Sequence, residues 1–583
     1  MGSLCNESVS GYPDQQVLTK EWRDHISPWL RKLLQSVAFS SRDQAKAVFN
    51  SDLVDKLVCQ ADSAQKVFDM YGVAEFLFLL NEDQRRKELL VKLSQIVPYT
   101  AIYLEITAVC AKLNDYTARL EYLEKALEKN PAMPELLSDM GGILIKLNQR
   151  RRGLELMRKS ARQLPDNAAV FSNYLCQCHY AEELDCDQLY SEHRDWAKIN
   201  ADADYIKDHK NDPDPDRKLR IGYISPDYRV HPVGILMNPV FVEHDRDQFD
   251  VFAYSNIQQW EAFTDEIKRN VDTYRIVTGV SSRKVVDMIK ADKIDILIDL
   301  AGHTSNNRLD VMAYKPAPVQ VSYLGYFDTT GMEQIDYFLT DCLMSPPESR
   351  KYYTEELFYL PGTCLSFNNL MKWPDVADSP FRKNGYMTFG MYSNPVKING
   401  KIARLWGQIL EKTTNSRLKI LLRGGKSRDV ISIYLKLLKD SGVEIDRVDI
   451  LGEKTLGEYM SAYNDVDIML DTYPYNGGMT TCDAFWMGVP VVSLVGEHHF
   501  SRVGLSLLSA VGLEYFAAKT GAEYVAKACG LAGMPDALNK IRGSLRQRVS
   551  CSVLGNVQVQ TRNIENAYRQ MWRRWCGKGN QKV

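Results

Sequence analysis

The chain has 583 residues, of which 45% are hydrophobic and 25% charged, and its formal net charge is −2. This length is too great for one core and predicts about three or four domains. The near-neutral charge excludes the basic footprint of a nucleic-acid-binding protein. No apolar run approaches the about 20 residues that a membrane-spanning helix requires, so we expect neither a membrane span nor a nucleic-acid partner.

Twelve cysteines are scattered along the chain, and none of them forms a CxxC motif. This pattern disfavours a zinc site or a disulfide framework and favours a reducing compartment. The polar N-terminal segment lacks the apolar core of a signal peptide. We therefore expect a cytoplasmic protein without a metal site.

The first third of the chain has a helical pattern that contains a repeat. Segments 114–131 and 148–165 align with a period of 34 residues, and each ends in proline. Pro98 lies 33 residues before Pro131, so an earlier unit should end there. This period is typical of tetratricopeptide repeats, which stack helix pairs into a solenoid with a concave, peptide-binding surface. We predict a helical region with degenerate repeats at 1–97 and repeats with capping helices at 98–210. A generic helical domain is the alternative.

The charged segment 208–218 contains two prolines and marks a domain boundary. Beyond it, short apolar runs alternate with helical stretches, which is the pattern of β-α-β units and parallel sheets. Two sets of such runs predict two doubly wound domains, at 217–375 and 380–575, with a tail at 576–583. Ligands of open α/β sheets bind beyond the carboxyl ends of the strands, so we expect the site in the cleft between these domains.

His231 stands in the stretch GYISPDYRVHPVG, which follows the first strand of the first sheet domain. We expect the imidazole at the carboxyl end of that strand, beside Asp227. Histidine has the side-chain pKa nearest neutrality and is a common catalytic group. A purely structural histidine is the alternative.

The stretch DLAGHTSNNRLDVMAYKPAPVQVSYLGYFDTTG contains two further strand exits. Its hydrogen-bonding side chains and glycines suit a sugar or a peptide backbone, although the same residue types also fill ordinary turns. The candidates for a sugar or acceptor pocket are His303, Thr304, Gly325, Tyr326, Thr329 and Thr330.

Two stretches of the second sheet domain indicate a diphosphate site. In MYSNPVKING, Lys397 follows a strand and could neutralise a leaving diphosphate as charge develops on it. In LDTYPYNGGMTTCDAFW, a helix beginning near Thr480 would direct backbone N–H groups and its positive end at a phosphate. Thr480 and Thr481 add hydroxyl donors there, and Asp483 is placed to bind ribose hydroxyls. No Walker loop and no GxGxxG motif occurs there.

These motifs together resemble the O-linked N-acetylglucosamine transferase and SPINDLY family of glycosyltransferases, GT41. The resemblance covers most of the chain and implies an α-helical repeat solenoid followed by an α/β GT-B fold, in which two Rossmann-like domains face an inter-domain cleft. It also implies inverting transfer of a sugar from a nucleotide donor to Ser or Thr of intracellular proteins, with no cofactor and no required metal. The repeat array is short, as in bacterial members.

The resemblance also implies roles for individual residues. His231 resembles the family's active-site histidine, and Asp287 aligns roughly with an acid once proposed to assist. The family's donor-binding groups correspond here to a lysine, an amide, two hydroxyls and a ribose-binding acid: Lys397, Asn394, Thr480, Thr481 and Asp483.

The chain departs from the family pattern at several positions that bear on the donor. Gly478 and Met479 stand where the animal transferase has part of a His-Thr-Thr run, and Phe327 replaces a common proline. Asp483 fits the N-acetylglucosamine branch, whereas GHTSNN resembles the SPINDLY branch, which uses GDP-fucose. We predict UDP-N-acetylglucosamine as the donor and an acceptor protein bound along the repeat groove. The alternatives are O-fucosylation from GDP-fucose, glucosylation of Asn from UDP-glucose, and an inactive repeat scaffold. A homo-oligomer is compatible with the sequence.

Overall fold

The computed structural model describes residues 22–38, 64–182, 184–367, 373–422, 428–452 and 454–579. The chain divides into two compact units. The first comprises Met1–Ser160 with Lys426–Ser432, and the second comprises Ala161–Gly425 with Ile433–Val583. No helix within the described ranges is long and apolar enough to cross a membrane.

Helix pairs make up the first unit. The turn inside each of three successive pairs contains an asparagine in the left-handed conformation, at Asn81, Asn114 and Asn148. These asparagines are 33 and 34 residues apart, so the backbone repeats with the period found in the sequence. The unit predicted to end near Pro98 is therefore present. The helices are Trp22–His25, Pro28–Ala38, Ala64–Leu79, Asp83–Ile96, Thr100–Leu113, Tyr116–Lys129, Pro134–Lys146 and Arg150–Gln163, the last of which crosses the unit boundary.

The helices Pro134–Lys146 and Arg150–Gln163 approach each other through two glycines. A Cβ added to Gly141 would lie 2.5 Å from the carbonyl oxygen of Gly153, and one added to Gly153 would lie 2.6 Å from that of Gly141. Contacts this short involve backbone atoms, so a side chain at either position would force the two helices apart.

We expect Gly141→Ala to lower the free energy of opening of this helix pair by up to about 2 kcal/mol, because an overpacking cost of about 1–3 kcal/mol is only partly offset by the gain of about 1 kcal/mol in helix propensity. Gly142→Ala is the matched control, since its added Cβ meets no atom within 4 Å and only the propensity gain remains. Hydrogen exchange of peptides from 134–160 measures this opening. Equal effects of the two substitutions would contradict the close approach.

The second unit contains two parallel sheets, of which the first has seven strands in the order β3-β2-β1-β4-β5-β6-β7. Its strands are β1 Leu219–Ser225, β2 Phe249–Ser255, β3 Thr273–Ile276, β4 Ile296–Asp299, β5 Val319–Tyr323, β6 Tyr337–Thr340 and β7 Glu356–Tyr359. The helices between them are Pro232–Glu243, Ala262–Arg269, Ser282–Ala291 and Leu309–Met312, with a 3-10 helix at Pro347–Tyr352. Strands β1, β4 and β5 are buried almost throughout, as expected for parallel strands that are covered on both faces.

The second sheet has six parallel strands in the order β10-β9-β8-β11-β12-β13. They are β8 Met387–Ser393, β9 Ser416–Leu422, β10 Val448–Leu451, β11 Ile468–Leu470, β12 Val491–Leu494 and β13 Ala517–Ala518. The α-helices that follow residue 380 are Phe381–Asn384, Gly400–Lys412, Arg428–Asp440, Leu456–Ala462, Met479–Trp486, Val503–Ala510, Gly521–Ala532, Pro535–Cys551 and Val557–Gly579. Short 3-10 helices lie at Pro395–Lys397, Ile445–Arg447, Tyr463–Asp465, His499–Ser501 and Glu514–Phe516.

The strand order reverses at one point in each sheet, between β1 and β4 in the first and between β8 and β11 in the second. Loops at the carboxyl ends of strands beside such a switch point form the usual ligand site of an open α/β sheet. The predicted Rossmann-like topology is therefore present in both domains, and it directs attention to the loops after these four strands.

Two helices that the sequence placed with the repeats, Ala168–Cys178 and Cys186–Asn200, belong to the second unit. The Ser172 hydroxyl lies 3.0 Å from Nδ1 of His303, and Arg194 donates to the carbonyl oxygen of Gly331 at 2.8 Å. Because these helices bond to loops of the first sheet, the unit boundary at Ala161 falls inside the predicted repeat region 98–210.

The C-terminal helix Val557–Gly579 packs on the first sheet domain, although the sequence grouped most of it with the second domain at 380–575. Tyr223 of β1 donates a hydrogen bond to the Tyr568 hydroxyl at 3.2 Å, and Nδ1 of His244 lies 3.0 Å from Oε1 of Glu565. The helix also continues into the segment 576–583 that was predicted as a tail.

Candidate donor and active site

His231 lies at the carboxyl end of β1 and caps the helix Pro232–Glu243. Its Nδ1 accepts the N–H of Val233 at 3.3 Å and lies 3.6 Å from Oδ2 of Asp227. Burial lowers the pKa of His231, and Asp227 opposes that shift. The ring is therefore mainly neutral near pH 7. In the tautomer that accepts from Val233, the proton is on Nε2, which makes that atom a hydrogen-bond donor.

Lys397 ends the 3-10 turn that follows β8 at the switch point of the second sheet. Its Nζ donates to the carbonyl oxygen of Asn476 at 2.8 Å and lies 4.2 Å from the ring centre of Tyr475. Burial lowers the pKa of Lys397 to about 8, while the Asp471 carboxylate opposes the shift. Asn394 caps this turn, because its Oδ1 accepts the N–H of Val396.

The loop between β11 and the helix Met479–Trp486 is organised by Asp471, which the sequence analysis did not select. Its Oδ1 accepts the N–H of Thr472 at 2.8 Å and of Gly477 at 2.7 Å, and its Oδ2 accepts the hydroxyl of Ser493 at 2.6 Å. Burial raises the pKa of Asp471 to about 6, against the effect of these hydrogen bonds. The position of Asp471 directly after a buried strand at the switch point was the available sequence signal.

Thr480 and Thr481 lie at the start of the helix Met479–Trp486, as the sequence predicted. The N-cap residue of this helix is Gly478, which has no side chain. The first N–H groups of the helix, at its positive end, therefore have no N-cap side-chain oxygen as an acceptor. Thr480 and Thr481 line a small cavity together with Ser393 and Asp471, which end or directly follow the two switch-point strands. The structure thus brings the predicted hydroxyl donors to the carboxyl ends of β8 and β11.

Asp483 faces the protein interior and is only 7% exposed. Its Oδ2 accepts the hydroxyl of Tyr459 at 3.0 Å, and that hydroxyl lies 2.7 Å from the hydroxyl of Tyr463. This differs from the expectation of a carboxylate open to ribose, because the following turn of the helix packs against the helix Leu456–Ala462. Asp287 is exposed on the helix Ser282–Ala291.

The pocket candidates of the first sheet domain are mostly engaged inside the protein. His303 is buried, with Nδ1 3.0 Å from the Ser172 hydroxyl and Nε2 3.0 Å from the carbonyl oxygen of Thr330. The hydroxyls of Thr329 and Thr330 both donate to the buried carboxylate of Glu355. Their side chains therefore hold the loop in place.

The other three pocket candidates have similar internal roles. The Thr304 hydroxyl donates to the carbonyl oxygen of Ala301 at 2.8 Å. Tyr326 is buried, with its hydroxyl 2.7 Å from Nε2 of His193. Gly325 packs directly on the backbone of Leu300, where a side chain would clash. All six candidates build the frame of two adjacent loops.

Phe327 is the aromatic residue of this frame that reaches the second sheet domain. Its ring centre lies 6.1 Å from that of Tyr475 and 5.4 Å from that of His499. It is also the nearest side chain to Gly478, 3.9 Å from the position of an added Cβ. The residue that departs from the family pattern therefore sits between the loop of the first sheet and the loop that carries the candidate diphosphate site.

Imidazole rings surround the carboxylate of Asp328, next to Phe327. Oδ2 of Asp328 lies 3.5 Å from Nε2 of His179, and the ring of His179 packs against Tyr326 and Phe500. Burial alone would raise the pKa of Asp328, but His179 and the neighbouring histidines His193 and His498 hold it at about 2. Local sequence patterns give no sign of this histidine cluster, because its members are far apart in the chain.

Comparison with known proteins shows to which family this chain is similar. Residues 196–372 and 384–564 match the model of Glycosyl transferase family 41. A tomato (Solanum lycopersicum) protein named a probable UDP-N-acetylglucosamine–peptide N-acetylglucosaminyltransferase SPINDLY is 39% identical over 419 residues, which are 71% of this chain and 45% of that protein. The SEC protein of Arabidopsis thaliana, named in the same way, is 31% identical over 371 residues, 62% of this chain and 38% of that protein. The chain therefore spans less than half the length of these curated relatives.

A solved structure, that of a mutant O-GlcNAc transferase from Thermobaculum terrenum, is also similar. It matches with a TM-score of 0.80 at 30% sequence identity and covers 90% of this chain and 98% of that chain. The predicted fold class, helical repeats followed by two Rossmann-like domains, is confirmed by this match. Because the family model spans both sheet domains, the chain belongs to glycosyl transferase family 41.

Proposed function

We propose that this chain transfers N-acetylglucosamine from UDP-N-acetylglucosamine to Ser or Thr hydroxyls of proteins, with inversion at the anomeric carbon. The observation that carries the proposal is that Lys397 bonds to the Asn476 carbonyl in the loop leading to the uncapped start of the helix Met479–Trp486, beside the switch point of the second sheet. A cation and a helix N-terminus together bind and neutralise a diphosphate. The names of the relatives support the choice of donor.

The leaving diphosphate is the group that these residues act on. Lys397 now donates to the Asn476 carbonyl oxygen, and a diphosphate oxygen would replace that weak neutral acceptor with a charged one. Charge builds on the leaving oxygen as the glycosidic bond breaks, so the ammonium and the helix N–H groups stabilise the transition state more than the ground state. No metal ion is needed in this step, since the lysine and the helix supply the positive charge.

His231 is proposed to lie on the acceptor side of the cleft. With Nδ1 accepting from Val233, neutral His231 offers Nε2–H as a donor, which suits positioning of a hydroxyl or a sugar oxygen. A serine hydroxyl is a weak acid, so its proton can leave late, to a diphosphate oxygen or a water. Replacement by Asn, which keeps a donor, should therefore retain more activity than replacement by Ala.

The acceptor is proposed to be a cytoplasmic protein that lies along the concave surface of the helical repeats. Solenoids of this type bind extended peptides through such surfaces. The ten cysteines of the described ranges are all free, which supports a reducing compartment.

The donor is tested by incubating the chain with Ser- and Thr-containing acceptor peptides and UDP-N-acetylglucosamine, GDP-fucose or UDP-glucose, and mapping products by mass spectrometry. We expect one N-acetylhexosamine on Ser or Thr. A deoxyhexose from GDP-fucose, or a hexose on Asn, would overturn the donor assignment. Absence of any product, with no thermal stabilisation by UDP or GDP, would favour a repeat scaffold, since a nucleotide at 100 times its Kd adds about 2.7 kcal/mol.

The pH dependence of kcat/KM should reveal the charge of Lys397. The pKa of this lysine is lowered to about 8, so the free enzyme loses the ammonium as pH rises through that value. We expect kcat/KM to fall about tenfold per pH unit above it. Lys397→Arg, whose guanidinium stays charged, should lose this alkaline limb whatever its absolute rate. An unchanged limb in the arginine variant would show that another group titrates.

A further inference from the structure

Two histidines and an aspartate converge behind Phe327, within the second unit. One ligand atom from each of His179, His193 and Asp328 lies within 4.8 Å of the other two. No other such group of three metal-ligating side chains occurs among the residues that the structure describes. The three come from different parts of the chain: the end of one helix, the middle of the next, and the loop after β5.

His179 presents a buried nitrogen that has no hydrogen-bond partner. Its Nε2 lies 3.5 Å from Oδ2 of Asp328, at the outer limit of hydrogen-bond distance, and no closer partner in the described part of the chain reaches that nitrogen. A buried polar atom left without a partner costs about 1–3 kcal/mol. Such an atom, aimed at a carboxylate, suggests that a ligand belongs between the two groups.

His193 is already in the tautomer that a metal ligand requires. Its Nδ1 lies 2.7 Å from the carbonyl oxygen of Leu189, so that nitrogen carries the proton and donates it. Its Nε2 therefore accepts the hydroxyl of Tyr326 at 2.7 Å, a hydrogen bond that a metal ion on the same lone pair would replace. Metal-binding histidines commonly have this second hydrogen bond to a backbone carbonyl, which fixes the tautomer and the ring orientation.

The Asp328 carboxylate lacks a permanently charged partner. Among the described residues, no lysine or arginine forms an ion pair with it, and its recorded ion-pair partner is His179. The surrounding rings of Tyr326 and Phe500 limit access of water to the cluster. A bound metal ion would place a positive charge directly beside this buried carboxylate.

We propose that His179 Nε2, His193 Nε2 and Asp328 Oδ2 bind a divalent ion of the zinc class. Two neutral imidazoles and one carboxylate form a donor set that Zn²⁺ and Co²⁺ accept, with the fourth position taken by water or by the Tyr326 hydroxyl. Zinc–ligand distances of about 2.0–2.2 Å place tetrahedral ligands roughly 3.4 Å apart. The separation of 3.5 Å between His179 and Asp328 fits, and the His193 nitrogen, which lies within 4.8 Å of both atoms, would have to move closer to complete the set.

The ion would act as a structural clamp and takes no part in the transfer step. It would join the helices Ala168–Cys178 and Cys186–Asn200 to the loop that carries Phe327. Because Phe327 contacts Tyr475, the clamp would fix one wall of the candidate donor site. This inference does not depend on which sugar is transferred.

The test measures metal binding by the full chain after treatment with EDTA. We expect equilibrium dialysis of the wild type against Zn²⁺ or Co²⁺ to give about one bound ion per chain. In His179→Gln and in Asp328→Asn, the affinity for this ion should be at least about tenfold weaker. The Co²⁺ form should show the visible absorption of a four-coordinate site. His209→Gln is the matched control, because Nε2 of His209 is also buried and unpartnered but is not part of this group.

Two results would overturn the site: no bound ion in the wild type, or equal binding by the wild type, His179→Gln and Asp328→Asn. Circular dichroism and UDP binding of each variant without metal show whether it is folded. If one variant fails to fold, the other still tests the metal site, because each variant replaces a different proposed metal ligand. If the wild type did not bind UDP, this would count against the proposed function but would not affect the conclusion about the metal site.

Discussion

Lys397→Ala should lower kcat by about two to three orders of magnitude while leaving the fold intact. The ammonium is the positive side chain at the switch point of the second sheet, held 2.8 Å from the carbonyl oxygen of Asn476. Its loss removes a preorganised charge where the leaving diphosphate develops charge. Initial rates with UDP-N-acetylglucosamine, alongside thermal unfolding of both proteins, measure the effect.

Lys401 provides the matched control for this substitution. It lies one turn further along, exposed at the start of the helix Gly400–Lys412, and its Nζ is 4.6 Å from the ring centre of Tyr473. Lys401→Ala removes the same charge from the same region without touching the Asn476 carbonyl. Equal losses of kcat in the two variants would mean that general charge near the loop, and not Lys397, stabilises the leaving group.

Asp471→Ala should destabilise the loop between β11 and the helix Met479–Trp486 and abolish tight binding of UDP. The substitution leaves three buried donors without an acceptor: the N–H groups of Thr472 and Gly477 and the hydroxyl of Ser493. At about 1–3 kcal/mol for each unsatisfied group, the loss is about 3 kcal/mol or more. Thermal unfolding and calorimetric titration with UDP measure the two effects separately.

Asp471→Asn separates geometry from charge at this position. The amide oxygen can still accept both backbone N–H groups, and the Ser493 hydroxyl can turn to accept from the amide nitrogen. We therefore expect the asparagine variant to keep most of the stability that the alanine variant loses. If Asp471→Ala unfolded at the wild-type temperature and bound UDP normally, the loop would not depend on this carboxylate.

The architecture was predictable because it follows from local sequence patterns, namely the repeat period and the alternation of apolar runs with helical stretches. The 34-residue period is set by turn residues, and the left-handed Asn114 and Asn148 occupy equivalent places in it. The two sheets follow from short apolar runs that alternate with helices, since parallel strands are buried on both faces. The positions of Lys397, Thr480 and Thr481 in loops after strands of the second sheet were predictable for the same reason, because carboxyl ends of parallel strands meet at one edge.

The hydrogen-bond partners of side chains within the loops could not be predicted from such local sequence patterns. Thr329 and Thr330 look like open donors in the sequence, but Glu355 receives both hydroxyls, and it lies 25 residues further along the chain from Thr330. Ser172 lies in the region 98–210 that was predicted as repeats and capping helices, yet its partner His303 is 131 residues away. Such pairings depend on tertiary packing, which no local period reports.

The placement of the last long helix has a consequence for synthesis on the ribosome. Glu565, the partner of the buried imidazole of His244, is synthesised 321 residues after it, and Tyr568 is synthesised even longer after its partner Tyr223. At the usual elongation rate of about 5–20 residues per second, this delay is roughly 15–60 seconds. The first sheet domain therefore leaves the ribosome well before the helix that covers part of it, and that part stays uncovered during the interval.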